Sequence, residues 1–205
     1  AKTLCARHAP PYIGDMTNPT DPRRFLYRAD ALDPDLAQAL AREALAKADD
    51  GELYLQYRAT ESFGFDDGRL KTADYSTDAG FGLRAVSGEM TGFAHASDIS
   101  AGAIRRAAET LALLDPAKQA HAAPPPRTNR HLYDEANPLA LAGSWSVVEI
   151  VRADGFLATD IRPLVRLNVS IVVEENGRRE TGYFGLGGRY MYDHLFEPAQ
   201  WNRAI

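Results

Sequence analysis

The spacing of apolar residues changes along this chain, and each change predicts an element. Between residues 33 and 45 they recur at helical intervals, with Leu36, Leu40, Ala44 and Leu45 on one face. Asp33 followed by Pro34 supplies a capping carboxylate and a first residue whose φ is already helical. This helix is expected to stop near Asp49-Asp50-Gly51. The period then falls to two: Leu53, Leu55 and Tyr57 alternate with Glu52, Tyr54 and Gln56, which predicts a half-buried strand. A successor strand is expected over residues 60–65, with Phe63 and Phe65. After the turn at Asp67-Gly68 come a short strand with Leu70 and Thr72, a longer strand, a second turn at Ser87-Gly88, and Thr91-Gly92-Phe93. Residues 97–114 read as a second helix, with Ile104, Ala107, Ala108, Leu111 and Leu114 as its apolar stripe and Arg105, Arg106 and Glu109 outside.

The same landmarks return between Val151 and Tyr183. Asp154-Gly155 precedes Leu157 and Thr159, and Asn176-Gly177 precedes Thr181-Gly182-Tyr183. Landmarks at nearly constant spacing predict an internal duplication. Asp-Gly and Asn-Gly suit tight hairpin turns because these residues adopt positive φ at low cost. The fold class expected is therefore α+β: two antiparallel β-meanders, residues 52–96 and 144–184, packed with helices. A doubly wound parallel sheet would need a crossover helix between successive strands, and the meanders leave no room for one.

Outside the meanders the pattern weakens. Residues 1–22 are rich in Pro, Thr and Asn without an apolar period, which predicts a disordered tail or an upstream extension, with Met16 a natural start. Residues 115–143 carry Pro124-Pro125-Pro126 and several alanines, as a linker or surface strap would. Residues 23–205 are then one domain. After Tyr183 come the glycine-rich FGLGGRY and a stretch from Tyr192 to Ile205 that resembles the start of a helix.

Composition narrows the functional classes. With 205 residues, 45% hydrophobic and 25% charged, the chain is of globular type. A net charge of −5 argues against direct nucleic-acid binding, because such affinity rests on clustered Lys and Arg. A single cysteine, Cys5, makes no internal disulfide, and no apolar run approaches the roughly 20 residues that a membrane-spanning helix needs. A cytoplasmic protein without membrane contact is expected.

The search for reactive groups yields no catalytic residue and no metal ligand. None of His8, His95, His121, His131 and His194 belongs to an HExxH or HExxxH motif, one cysteine cannot build a CxxC site, and there is no GxSxG elbow. Tyr57, Tyr75 and Tyr183 fall at strand positions that packing explains. Two features remain as peptide-contacting or interface candidates. One is Gly185, Gly187, Gly188 and Arg189, read either as a turn or bulge that frees an edge strand or as a segment for strand addition. The other is Arg162 and Arg166, within an otherwise apolar strand: a solvent-facing side and a domain interface both account for them. Val165, Leu167, Val169, Ile171 and Val173 form the apolar face of that strand, and Leu164, Arg166, Asn168 and Ser170 form a mixed one.

Two long blocks carry a resemblance. ELYLQYRATESFGFDDGRLKTADYSTDAGFGLRAVSGEMTGFAHASDIS and ADGFLATDIRPLVRLNVSIVVEENGRRETGYFGLGGRY resemble, in order, the N-terminal domain of the TldD/PmbA metallopeptidases, also called modulators of DNA gyrase. The likeness runs from about Asp35 to the end of the chain. It implies a cytoplasmic peptidase that pairs with a PmbA/TldE-type subunit, or with itself, and cuts unfolded or linear peptides. It also implies zinc in the full-length protein, held by a helical HExxxH and a distant cysteine that follow this domain, and no cofactor in the present chain. Two departures accompany it: the chain stops at WNRAI before the peptidase half, and ALAG joins Asn137-Pro138-Leu139 directly to the strand at Trp145, where the family places a helix and a strand. The expected function is the N-terminal, non-catalytic portion of a TldD-like zinc peptidase, contributing to partner assembly and a substrate cleft. The alternative is a free-standing peptide-binding or dimerisation module.

Overall fold

The computed structural model describes residues 21–28, 30–111 and 143–201. The expected tail to residue 20 with Cys5 and His8, the strap as far as residue 142 with His121 and His131, Leu114 and the first three residues of the ALAG join lie outside the described residues. Order begins at Asp21, whose carboxylate accepts from the Arg23 backbone N–H at 2.8 Å and caps a 3-10 helix, Pro22–Phe25.

Helix α1, Pro34–Ala44, starts as its sequence predicts: Asp33 Oδ1 accepts from the Leu36 N–H at 2.8 Å. It ends before the expected stop near residue 49. The Asp49 N–H already donates to Val86 O at 2.8 Å, one residue ahead of the first strand. Strand β1, Asp50–Asp66, is continuous, not the two strands expected, and β2, Arg69–Ser87, likewise absorbs a short and a long strand into one. No glycine or proline stands between Tyr57 and Thr60 to break the first ladder. Strand β3 is Met90–Ala96 and α2 is Ala101–Leu111. Then come β4, Gly143–Arg152, β5, Leu157–Glu175, and β6, Arg178–Gly188. A 3-10 turn at Tyr192–Phe196 and the short α3, Pro198–Trp201, follow.

The strands form one antiparallel sheet in the order β3-β2-β1-β4-β5-β6, so each meander is a run of sequential neighbours and the fold is α+β. Two of its hairpins have the backbone that their turn dipeptides predict. Asp67 and Gly68 have φ of 47° and 70°, and Asn176 and Gly177 have 52° and 79°. Positive φ at both central residues matches the turn to the natural twist of the flanking strands. The register then puts Val165 opposite Gly188, Asn168 opposite Gly185 and Glu175 opposite Arg178.

The chain divides into two compact units. The first draws on Ala1–Leu55, Gly80–Pro126 and Glu149–Ala158. Its described core contains Leu26, Leu32, Leu40, Leu45, Leu53, Leu55, Leu83 and Ile104, each nearly or fully removed from water. Each such side chain stabilises the fold by about 1.5–3 kcal/mol relative to exposure. The second unit draws on Gln56–Ala79, Arg127–Val148 and Thr159–Ile205. Its described core is smaller: Ala59, Trp145, Val147, Val148, Val165 and Leu195. Its strands run on past that core, leaving Phe65, Tyr75, Ile171, Val173 and Tyr183 exposed.

Candidate functional site

The residues singled out in the sequence meet on the β5–β6 hairpin of the second unit. Gly185, Gly187 and Gly188 are not in a loop: they lie within β6, opposite Asn168, Arg166 and Val165. Close packing explains them. A Cβ at 187 would stand 2.6 Å from Val165 O, and one at 188 would stand 2.1 Å from the Tyr190 ring. The glycines thus let β6 stay in the ladder where a larger residue would push it off. β6 is also the last strand of the sheet, so its outer edge has no neighbouring strand among the described residues. An edge of this kind presents backbone N–H and C=O groups in the pattern that an added strand completes.

The hairpin has two faces of different chemistry. On one, Val169, Ile171 and Val173 stand opposite Phe184, Gly182 and Glu180 and line a groove of about 420 Å³. On the other, Arg166 and Asn168 stand opposite Gly187 and Gly185, with Ser170 opposite Tyr183. The Tyr183 hydroxyl donates to Asn168 Oδ1 at 2.7 Å, and Arg166 Nε donates to the same oxygen at 3.0 Å. Packing, the explanation that their strand positions suggest, does not account for Tyr183 or Tyr75, which are 67% and 63% exposed. Arg162 finds a partner in its own strand: its Nε donates to Asp160 Oδ2 at 2.8 Å. Arg189 directly follows β6 and is exposed. The site therefore brings together Arg166, Gly185 and Gly187, puts Gly188 on the opposite face, and leaves Arg162 on its own ion pair.

The first unit contains charges that reading the sequence did not single out. Glu149 is fully buried in β4, where its carboxylate accepts from Arg23 Nε at 2.8 Å and from the Tyr27 hydroxyl. Burial works against the charge on Arg23, but Glu149 outweighs it and holds the guanidinium above its ordinary pKa. Tyr27 is pushed far above the ordinary tyrosine range, first by burial and then by the negative charge of Glu149. The signal was one carboxylate within the apolar run SVVEIV; its partner lies 126 residues away, so pattern could not supply it. Nearby in the same unit, Asp50 accepts from Arg152 at 2.8 Å and from Arg84 at 3.2 Å, and Arg84 also reaches Glu52 at 2.6 Å. Carboxylates tied this closely to guanidinium groups hold strands together.

An apolar groove of about 350 Å³ lies between α1, α2 and the end of β2, with Leu40, Ala85 and Ile104 in its walls and Glu43, Lys47 and Arg105 among its charged residues. Among the described residues no group of three or more His, Cys, Asp or Glu is placed to hold a metal ion. His194 Nδ1 lies 3.2 Å from Glu197 Oε1. No described helix is long and apolar enough to cross a membrane.

Comparison with known proteins adds the lineage. Residues 51–114 match the PmbA/TldA metallopeptidase domain 1, and residues 106–203 match the PmbA/TldA metallopeptidase central domain. A metalloprotease TldD homolog from Buchnera aphidicola (subsp. Schizaphis graminum) is 36% identical over 177 aligned positions, covering 70% of this chain and 37% of the relative. One from Haemophilus influenzae is 35% identical over 184 positions, covering 73% of this chain and 38% of the relative. The chain thus spans less than two fifths of the length of these relatives. Among solved structures, TldE from Thermococcus kodakarensis shares the fold with a TM-score of 0.57 at 15% identity, covering 82% of this chain and 46% of that one. A candidate modulator of DNA gyrase from Bacteroides thetaiotaomicron does so with a TM-score of 0.55 at 16% identity, covering 83% and 48%.

Proposed function

The chain belongs to the PmbA/TldD metallopeptidase family, and from that premise we propose that it is the N-terminal, non-catalytic portion of a TldD-like peptidase, forming part of the surface that holds a linear peptide. The observation that carries this reading is the open edge of β6, next to a hairpin with one apolar and one polar face. A peptide lying along that edge would gain backbone hydrogen bonds irrespective of its sequence, while the two faces would receive its alternating side chains. Folded proteins mostly pair or protect their strand edges, so unfolded or linear peptides are the substrate class that fits.

The metal that relatives named metalloproteases imply is generally zinc, and the described residues do not fit it, because they gather no ligand set. No chemical step is therefore assigned to these residues, and the chain by itself is expected to hydrolyse nothing. A TldE-like subunit or a second copy is the proposed partner, through the exposed apolar residues of β5, and the cytoplasm is the proposed compartment.

Fluorescence anisotropy with a labelled linear peptide tests the reading. The chain is expected to bind the peptide, and N-methylation of alternate peptide amides is expected to abolish binding by removing the donors that pair with β6. Binding indifferent to N-methylation would contradict strand addition.

A further inference from the structure

On the polar face of the β5–β6 hairpin, one amide organises two other side chains. Asn168 Oδ1 accepts from Arg166 Nε at 3.0 Å and from the Tyr183 hydroxyl at 2.7 Å. The bond through Nε orients the guanidinium and leaves its two terminal nitrogens for another group. Arg162 and Arg178, on the same hairpin, are each paired with a carboxylate two residues away, Asp160 and Glu180. No carboxylate among the described residues comes within ion-pair distance of Arg166. A guanidinium held by neutral groups is not already matched to a counter-charge, and its fork of donors matches a carboxylate in two parallel bonds.

The glycines determine where that charge can reach. Arg166 stands opposite Gly187 and Asn168 opposite Gly185, so β6 offers no side chain on this face at the two positions beside the arginine. A Cβ at 185 would approach both Asn168 Oδ1 and the Tyr183 hydroxyl at 3.2 Å, crowding the bonds that fix the site. Beyond β6, an added strand would lie about 4.8 Å further out. Only glycine backbone separates it from the arginine, a gap that a long guanidinium side chain and a carboxylate can bridge between them.

We propose that Arg166, oriented by Asn168 and Tyr183 and reaching across the shelf of Gly185 and Gly187, recognises a carboxylate of the bound peptide, either an Asp or Glu side chain or the terminal carboxylate. The inference deepens the peptide-holding reading and rests on the peptide lying along β6. Arg166 is the binding residue, and Asn168 and Tyr183 are positioning residues.

The test uses the 205-residue chain and three labelled versions of one linear peptide: amidated with a central Gln, amidated with a central Glu, and free-acid with the central Gln. One of the two carboxylate forms is expected to bind about tenfold tighter than the neutral peptide, as a charge-assisted pair would give, and which form does so identifies the source. Arg166→Gln is expected to erase that preference while leaving the circular dichroism spectrum unchanged, because the side chain is exposed. Tyr183→Phe is expected to reduce the preference in part. Equal binding of all three peptides, or a preference that survives Arg166→Gln, overturns the carboxylate site while leaving strand addition standing. If no version binds, both the site and the peptide-holding reading fail.

Discussion

Glu149 is the residue on which the first unit most depends. Its charge is fully buried, and Arg23 and Tyr27 compensate for it with direct hydrogen bonds. Removing one member of such a pair strands the other charge in the core, which costs more than the pair is worth against an apolar replacement. Glu149→Ala is therefore expected to lower stability by about 3–5 kcal/mol in urea denaturation. The double variant Arg23→Met, Glu149→Leu is expected to recover most of that loss; equal losses in the two proteins would show that the cost is one of packing alone. Tyr27 adds a pH dependence of definite sign. Its pKa is raised in the folded protein, so the stability it contributes is complete below the unfolded tyrosine value near 10 and is lost as pH rises through and above it. Denaturation midpoints measured from pH 8 to pH 11 are expected to fall at the alkaline end in the parent and to fall less steeply there in Tyr27→Phe.

At the scale of elements, the turns carry the register. Gly177 has φ of 79°, and a Cβ there would meet nothing within 4 Å, so Gly177→Ala isolates the conformational cost of a left-handed residue. That cost is about 1–2 kcal/mol, measurable as a lower denaturation midpoint with an unchanged m-value. An unchanged midpoint would mean that the turn can relax to a conformation alanine tolerates.

These turns, and the cap at Asp33-Pro34, were legible because their signals lie within two to four adjacent residues. Signals that depend on partners far along the chain were not. Asn168 and Tyr183 meet only once the β5–β6 register exists, and Arg23 meets Glu149 only once the first unit has closed. GLGGR reads as a turn by composition, yet it stays in a strand because Tyr190 and the β5 backbone occupy the space that side chains would need. TADYSTDAG likewise carries turn-forming residues, yet β2 runs through it without a break.

At the scale of the molecule, the resemblance in the two long blocks was the strongest guide, and the domain matches over 51–114 and 106–203 bear it out. Composition alone gave only a globular, acidic chain. What the larger scale adds is a division of labour: the described ion pairs around Glu149 and Asp50 hold the first unit together, while the second unit offers an edge with no neighbouring strand among the described residues and exposed apolar side chains. The central claim is that β6 receives a linear peptide as an added strand. Amide hydrogen exchange with and without saturating peptide tests it most directly. Slowed exchange confined to Arg178–Gly188 and its neighbour β5 is the predicted result; unchanged exchange across β6 with protection elsewhere would contradict it.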